Sequence, residues 1–221
     1  PRPGDLPEER QSLTVVAGAH RSGANWGERV PNDFFWLKGI AEVALDRLGI
    51  EARTYRPLTH PFFHPARSAA IVNPADGDRL IGALGEVEPD VRAAFDVDQT
   101  CYLLALDWDH ALRLATTTRQ VSPIPRFPSV SQDIALIIST DLPAATIEEL
   151  IRETGAPLVQ TVDLFDTYQG PPIPDGKLNL GYHITYQALD RTLTDAEVAE
   201  VQRKIERALV GQLGAELRQS S

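Results

Sequence analysis

The alternation of large apolar residues with small or polar ones between Leu178 and Tyr186 predicts a β-strand with one buried face. The large apolar members, which we expect in a core, are Leu178, Leu180, Tyr182, Ile184 and Tyr186. The members between them are small or polar and predict a sheet face open to solvent or to a ligand: Asn179, Gly181, His183 and Thr185.

A strongly specified helix start follows this strand. Thr194 is followed three residues later by Glu197, the spacing of a capping box in which each side chain bonds to the backbone N–H of the other residue. Leu193 and Val198 are placed to form the accompanying hydrophobic staple. Apolar residues then recur at helical spacing, at Val198, Val201, Ile205 and Leu209. We expect Gly211 to end the helix in a left-handed conformation.

The order of elements around this strand and helix predicts a ferredoxin-like β-α-β-β-α-β sandwich. Periodic apolar residues indicate three further strands at 133–139, 158–165 and 214–218 and a second helix at 143–154. In this helix we expect Pro143 near the first turn and Gly155 just after the end. Two helices then cover one face of the sheet, and the other face stays uncovered.

The preceding part of the chain predicts a separate α+β domain with a mainly antiparallel sheet. The expected strands cover residues 13–17, 69–73, 80–84 and 100–108, and the expected helices cover 33–48 and 89–95. Pro123, Pro125 and Pro128 indicate an extended connection between the two parts. We therefore expect two domains, at residues 12–120 and 127–219.

Composition narrows the classes of function. The net charge is −10, and the residues after Arg126 include seven bases and fourteen acids, which argues against strong nonspecific binding to nucleic acid. An RNA contact here must then depend on stacking and on hydrogen bonds to a few exposed bases. No apolar run approaches the length of a membrane span. The chain has no Met, so we expect a piece of a longer polypeptide, and the lone Cys101 gives no support for an oxidising compartment.

Two segments invite a nucleotide-binding or metal-binding interpretation, and neither supports it well. Residues 18–23, GAHRSG, have the glycine spacing of a P-loop, but Ala24 and Asn25 stand where Lys and Ser or Thr are needed. His60 and His64 are four residues apart, but adjacent prolines disfavour a helix that would align them. We expect neither a catalytic set nor a metal site.

Motifs in both domains resemble one family. The segments FPSVSQDIALII, LFDTYQGPPIPDGK and DRTLTDAEV are similar to the ferredoxin-fold anticodon-binding domain of bacterial phenylalanyl-tRNA synthetase beta subunits. The segments FFWLKGIAEVALDRLGI, FFHPARSAAI and IGALGEVEPDVRAAFDV resemble the catalytic-like domain that precedes it in this family. The family usually has Gly where this chain has Ala66, which leaves the local turn open.

The resemblance implies a class II synthetase-like antiparallel-sheet domain that has lost catalysis, followed by the ferredoxin-like domain. The family is a phenylalanine-tRNA ligase, a cytoplasmic enzyme of protein biosynthesis, whose alpha subunit carries catalysis and binds ATP, Mg²⁺ and phenylalanine. Its beta subunit binds tRNA and supports an (αβ)2 heterotetramer. The implied partners are tRNA(Phe) and the alpha subunit, with no membrane, and no cofactor is expected in this fragment itself.

The anticodon contacts of the family fall on Ala135, Tyr168 and Asn179 when they are carried over motif by motif. A small Ala leaves room for a base, Tyr168 can stack on one, and Asn179, where relatives commonly have serine, can bond to a base edge. The alternation agrees for Ala135 and Asn179, which lie out of phase with the core positions. The alternatives are that Tyr168 anchors its own loop and that Asn179 is a solvated strand residue. Lys177 and Arg191 are candidates for phosphate contacts or, equally, for surface ion pairs.

Three functions follow, in the order in which we favour them. The first is a noncatalytic ligase segment that recognises the anticodon stem-loop of tRNA(Phe). The second is a scaffold that docks partner subunits through its first domain and makes no RNA contact. The third is an independent enzyme, such as a hydrolase using carboxylates or the pair His60 and His64.

Overall fold

The computed structural model describes residues 9–22, 29–116 and 125–218. The chain divides into two compact units, residues 1–121 and 122–221, and each unit has a hydrophobic cluster of its own. Both units combine helices with antiparallel sheets, so the α+β class predicted from the sequence is confirmed. Within the described ranges, none of the helices is long and apolar enough to cross a bilayer.

The first unit contains a five-stranded and a two-stranded sheet. In chain order its described elements are β1 (Ser12–Gly18), β2 (His20–Ser22), β3 (Arg29–Pro31), α1 (Phe34–Arg47), β4 (Thr54–Pro57), β5 (Phe63–Asn73), β6 (Arg79–Val87), α2 (Pro89–Ala94), β7 (Cys101–Asp107) and α3 (Trp108–Leu114). The larger sheet has the order β1-β7-β6-β5-β4 with every neighbouring pair antiparallel. Strands β2 and β3 pair with each other.

Helix α1 packs on one face of the five-stranded sheet. It begins where the Asp33 carboxylate accepts a hydrogen bond from the Trp36 amide at 2.7 Å, which is the usual role of an aspartate N-cap. Its buried residues recur every four positions, at Leu37, Ala41 and Leu45. They cluster with Ala111 of α3 and with apolar residues of β6 and β7, so α1 and α3 cover the same side of the sheet.

The second unit is a four-stranded antiparallel sheet with two helices. In chain order its elements are β8 (Val130–Ser139), α4 (Ala144–Gly155), β9 (Val159–Tyr168), β10 (Lys177–Tyr186), α5 (Asp195–Leu213) and β11 (Glu216–Arg218). The strand order is β11-β8-β10-β9. The apolar sides of α4 and α5 form one cluster with β8 and β10, so both helices lie on the same face, as the ferredoxin-like pattern predicts.

Helix α5 confirms the predicted start and corrects the predicted end. The Glu197 carboxylate accepts from the Thr194 amide at 2.9 Å, and the Thr194 hydroxyl accepts from the Glu197 amide at 3.3 Å. Leu193 and Val198 are both buried in the same cluster, as the hydrophobic staple requires. The prediction that Gly211 ends the helix is wrong, because the helix continues to Leu213 and Gly214 adopts the left-handed conformation with φ 64°.

Gly155 also has a different role from the predicted one. It is the last residue of α4, which begins after Pro143 at the N-cap position. A Cβ at Gly155 would lie 2.2 Å from Cγ2 of Val159. The glycine is therefore required by the close approach of the chain after the helix, and its backbone is not in the left-handed region.

Several short elements of the first unit have no clear sequence signal. The sequence pattern does not predict β4, α3 or the pair β2 and β3, each of which is short. Strand β5 begins at Phe63, well before the predicted start, so Ala66 lies inside a strand. Ala66 is not among the described residues with positive φ, and this explains why glycine is dispensable there.

Candidate nucleic-acid interface

The face of the four-stranded sheet opposite α4 and α5 is the candidate site. We call it the open face and define it by six residues of three strands: Ala135, Ile137, Phe165, Tyr168, Asn179 and Gly181. Residues that pair across neighbouring strands form two rows on this face. The first row crosses all four strands, because Ala135 pairs with Gly181 on one side and with Arg218 on the other. Gly181 in turn pairs with Asp166 at the β9 edge.

A second row lies next to the first. Asn179 pairs with Ile137 of β8 and with Tyr168 of β9. Since Asn179 and Gly181 are two residues apart on β10, their side chains point to the same face. The register thus brings Ala135, Tyr168 and Asn179, the three residues predicted from the resemblance, onto one surface.

The residues at the centre of the first row have small side chains or none. Ala135 is half-buried and presents one methyl group, and Gly181 beside it has no side chain. Flat ligands such as nucleobases need a shallow floor of this kind, because a larger side chain would hold them away from the sheet. The out-of-phase position of Ala135 agrees with the alternation in the sequence.

Tyr168 is partly exposed and partly committed to its own loop. Its side chain is 43% exposed. Its hydroxyl donates a hydrogen bond to the Pro171 carbonyl oxygen at 2.7 Å and lies 3.3 Å from the position of a Cβ on Gly170. The hydroxyl therefore anchors the loop after β9, while much of the ring stays open to a stacking partner.

Asn179 lies on the open face but is covered. Its exposed fraction is 5%, so it is not the solvated strand residue that one alternative predicts. Its Oδ1 has no hydrogen-bond partner among the described residues. An unpaired buried acceptor of this kind costs about 1–3 kcal/mol, which makes it a ready acceptor for an incoming donor.

The loop between β9 and β10, residues 169–176, is compact and contains one buried side chain. Ile173 in the loop is only 7% exposed, yet it does not belong to the cluster between the sheet and the helices. The loop is tightly turned, because the Ile173 amide donates to the Gly170 carbonyl at 2.8 Å and the Lys177 amide to the Pro174 carbonyl at 3.1 Å. We infer that the loop folds over Asn179 at this end of the sheet.

A β-bulge in β9 changes which side chains reach the open face. Gly181 pairs with Asp166 but the next residue, Tyr182, pairs with Leu164, so Phe165 is an extra residue at this point. The Phe165 ring is 60% exposed. Its Cζ lies 3.0 Å from the position of a Cβ on Gly181, so the ring rests directly on the glycine.

Charged groups border the two rows. His183 and Asp133 pair across β10 and β8, with 2.6 Å between Nδ1 and Oδ1. Both predicted phosphate contacts are held in ion pairs. Lys177 is paired with Glu216, and Arg191 is paired with Glu197 at 2.8 Å and with Asp190 at 3.1 Å.

The histidine and cysteine candidates of the first unit have local roles. Nδ1 of His60 accepts from the Phe62 amide at 3.2 Å, and Nδ1 of His64 accepts from the Ala66 amide at 3.1 Å. Cys101 is half-buried, and burial raises the pKa of its thiol. In residues 9–22, 29–116 and 125–218, no group of three or more His, Cys, Asp or Glu could hold a metal ion.

The glycine-rich segment GAHRSG lies only partly within the described residues. Gly18 ends β1, Ala19 lies between the strands, and β2 begins at His20. Residues 23–25, which carry the expected departures from a P-loop, lie outside the described residues.

Two family models match the chain, one on each unit. Residues 1–108 match the model described as the phenylalanyl tRNA synthetase beta chain CLM domain. Residues 125–218, which include the whole open face, match the ferredoxin-fold anticodon binding domain. The chain belongs to the phenylalanyl-tRNA synthetase beta chain family.

Curated relatives of this family match nearly all of the chain. The phenylalanine-tRNA ligase beta subunit of Moorella thermoacetica is 42% identical over 221 residues, which are 99% of this chain and 26% of the relative. The beta subunit of Clostridium tetani is 40% identical over 215 residues, 96% of this chain and 25% of the relative. The chain thus spans about a quarter of the length of the curated relatives it matches. The resemblance predicted from the motifs is confirmed.

Phe165 is the residue of this synthetase domain that sequence reasoning missed. Its neighbour Leu164 pairs with core-facing Tyr182, so Phe165 lies on the open face, and the bulge brings Asp166 and Tyr168 onto that same face. One signal was present in the sequence. Gly181 stands inside a strand pattern, and a glycine there often marks a bulge or a close approach of other atoms.

Proposed function

We propose that the chain is a noncatalytic part of a phenylalanine-tRNA ligase beta subunit and that its second unit recognises the anticodon of tRNA(Phe). One observation carries the proposal. The exposed ring of Tyr168 lies on the uncovered sheet face of a unit that matches an anticodon-binding family model. A four-stranded antiparallel sheet with exposed aromatic residues is a common platform for unpaired bases.

In this proposal Tyr168 stacks on one base, and the small side chain of Ala135 leaves space for it to approach the sheet. Stacking of a base on an aromatic side chain contributes about 1–3 kcal/mol. Ala135 supports this role, because it is half-buried on the open face and presents only one methyl group.

Asn179 supplies a hydrogen bond to a base edge. Its unpaired Oδ1 supports this role, since an exocyclic amino group of a base can donate to it. Because Asn179 is 5% exposed, the loop of residues 169–176 must shift before a base can reach it. The hydrogen bond from Tyr168 to Pro171 couples the stacking residue to that same loop.

The charge of the second unit supports recognition by bases over recognition by phosphates. After Arg126 the chain has seven bases against fourteen acids, and Lys177 and Arg191 are occupied by acidic partners. For single strands the logarithm of the affinity falls with the logarithm of the salt concentration, with a slope of about −0.7 per neutralised phosphate. We therefore expect a shallow salt dependence.

The test is a titration of the 221-residue chain with the anticodon stem-loop of tRNA(Phe) at two salt concentrations. We expect Tyr168→Ala to weaken binding roughly 5- to 150-fold, the equivalent of one lost base stack. The control is Leu189→Ala, which removes an exposed apolar side chain (64%, against 43% for Tyr168) of the same unit. The proposal is contradicted if Tyr168→Ala binds as tightly as the wild-type chain, or if the affinity falls steeply as the salt concentration rises.

Assembly with the catalytic alpha subunit is the second part of the proposal, and the outer face of α1 favours it. Phe35 is 75% exposed and Val43 is 60% exposed, and with Gly39 they are spaced i, i+4, i+8 on one side of the helix. An apolar stripe of this kind suits packing against another helix. In this proposal the first unit is a catalytic-like class II synthetase domain, the complex is an (αβ)2 heterotetramer, and ATP and Mg²⁺ act on the alpha subunit.

Copurification with the alpha subunit tests this part. Phe35→Asp is expected to prevent association and to leave stem-loop binding unchanged. The control Phe95→Asp changes a ring that is 73% exposed in the same unit but outside the stripe, and it should associate normally. A chain that binds the alpha subunit but no RNA would support the scaffold function in place of anticodon recognition.

A further inference from the structure

We propose that Phe165 binds a second unpaired base, adjacent to the base that stacks on Tyr168. This inference rests on the proposed function, because it places both bases in one RNA loop. It adds a binding residue on the open face beyond Ala135, Tyr168 and Asn179.

The first argument is the β-bulge. In a regular strand Phe165 and Tyr168, three residues apart, would point to opposite faces of the sheet. The extra residue in β9 places Phe165 beside Asp166, opposite Gly181, while Tyr168 stays opposite Asn179. The two rings therefore share the open face only because the strand is irregular at this point.

The second argument is the contact of Phe165 with Gly181. Cζ and Cε1 of the ring lie 3.0 Å and 3.3 Å from the position of a Cβ on Gly181. Any other residue at 181 would require the ring to move by a few tenths of an ångström. The glycine thus lets the ring lie low on the sheet edge, and 60% of the side chain is still exposed.

The third argument is spacing. The cross-strand partners of the two rings, Gly181 and Asn179, are two residues apart, which is about 7 Å along a strand. Stacked bases in a duplex repeat at about 3.4 Å, so bases held on the two rings cannot be stacked on each other. That arrangement fits the splayed bases of a single-stranded loop.

The first experiment measures stem-loop binding by the 221-residue chain with three substitutions at Phe165. We expect Phe165→Ala and Phe165→Leu to lose affinity roughly 5- to 150-fold, and Phe165→Trp to retain it. Leucine keeps the apolar contact with Gly181 and lacks only the aromatic face. If Phe165→Leu binds the stem-loop as tightly as the wild-type chain does, the ring has only a structural role and the inference is overturned. The matched control is Phe95→Ala, which removes a ring of comparable exposure (73%) in the first unit.

The second experiment assigns the base. Stem-loops with a single abasic nucleotide at each loop position are titrated against the wild-type chain, Phe165→Ala and Tyr168→Ala. We expect the effect of Phe165→Ala to vanish at one abasic position and the effect of Tyr168→Ala to vanish at a neighbouring one. Loss of both effects at the same position would mean that the rings share one base, and it would overturn the proposal of a second base.

The outcomes separate this inference from the proposed function. If Tyr168→Ala weakens stem-loop binding and Phe165→Ala does not, anticodon recognition stands and the inference is wrong. If the wild-type chain does not bind the stem-loop, both are wrong. Thermal unfolding of each variant shows whether the change in binding reflects a loss of fold.

Discussion

Both units pack helices on one face of an antiparallel sheet, but they differ in where they expose aromatic rings. In the first unit, the sheet face opposite α1 carries small side chains in register across four strands, at Thr14, Ala105, Ala83 and Ala70. Among the described residues of that unit, the exposed rings are those of Phe35, on α1, and Phe95, just after α2. In the second unit, the exposed rings lie on the sheet itself.

This difference separates two kinds of recognition. A ring on a convex helix surface can enter a groove of another protein, whereas a ring lying against a sheet presents a flat surface to a base. In the proposed function the first unit docks a protein and the second unit binds bases, and the placement of a few rings makes the distinction. Four predictions test how far the two units act separately.

The largest expected effect is on the two cores. Leu104 and Leu136 are at most 1% exposed and belong to different clusters, so replacing either by alanine should destabilise its own unit by about 2–5 kcal/mol. All three tryptophans, at positions 26, 36 and 108, lie in the first unit. In denaturant titrations, Leu104→Ala should therefore shift the unfolding transition seen by tryptophan fluorescence. Leu136→Ala should leave the fluorescence transition unchanged and shift only the unfolding transition seen by circular dichroism. A common shift of both signals in both variants would contradict separate cores.

Replacing a helix glycine by alanine should lower the stability of the chain at one position and raise it at two others. Gly155→Ala would force a Cβ to within 2.2 Å of Val159 and should destabilise the second unit by about 1–3 kcal/mol. A Cβ on Gly39 of α1 or on Gly211 of α5 would meet no described atom outside its own helix backbone within 4 Å, so alanine there should stabilise the chain by about 1 kcal/mol. Thermal unfolding of the three variants provides the measurement. A destabilising Gly211→Ala would mean that α5 is more constrained than its open surroundings indicate.

Each unit carries a carboxylate with a lowered pKa, and each unit should therefore lose stability as the pH falls into the acidic range. Hydrogen bonds from the Thr194 amide and then from Arg191 lower the pKa of Glu197 to about 2, and a hydrogen bond from Arg67 lowers the pKa of Glu86 in the first unit. A lowered pKa stabilises the fold above the unfolded value of 4.5, and the contribution from Glu197 is lost as pH falls from 4.5 to about 2.

The comparison of wild type with Glu197→Gln isolates this contribution. The difference in unfolding free energy between the two proteins should shrink as the pH falls through that window, because the other carboxylates are common to both. A difference that stays constant would show that the capping box does not hold the pKa down. At neutral pH, Thr194→Ala should cost about 1 kcal/mol.

The smallest expected effect is that of Tyr168→Phe, which keeps the ring and removes the hydroxyl that donates to Pro171. Loss of this exposed bond should cost about 0.5–1 kcal/mol and speed amide hydrogen exchange in the loop of residues 169–176. Stem-loop affinity should remain within about threefold of wild type if stacking dominates. A loss as large as that of Tyr168→Ala would mean that the hydroxyl and the loop, and not the ring, carry recognition.

Local signals in the sequence predicted much of the second unit. The alternation in β10 and the capping box of α5 depend on residues close together in the chain, and both are present in the structure. The end of α5 was misplaced because Gly211 and Gly214 are equally good local stop signals. The helix continues to the second because its last turn still packs on the core through Leu213.

The detail of the open face depends on register and on loop packing, which the alternation pattern does not contain. Counting by two from the core positions places Ala135 correctly, but it gives no hint that Asn179 is covered. It would also place Phe165 and Tyr168 on opposite faces, whereas a single extra residue in β9 reverses the face of every residue beyond it and brings both rings onto the open face. The anticodon contacts at Ala135, Tyr168 and Asn179 remain a prediction from the family resemblance.

The irregularity of β9 has a consequence for the solubility of the chain. β9 is the outermost strand of its sheet, and a flat outer strand that displays aromatic residues would invite copies of the protein to join edge to edge. A bulge twists such a strand and interrupts its free N–H and C=O groups, so a second chain finds no regular ladder to extend. The same extra residue that brings Phe165 and Tyr168 onto one face therefore also disfavours edge-to-edge association of copies of the chain.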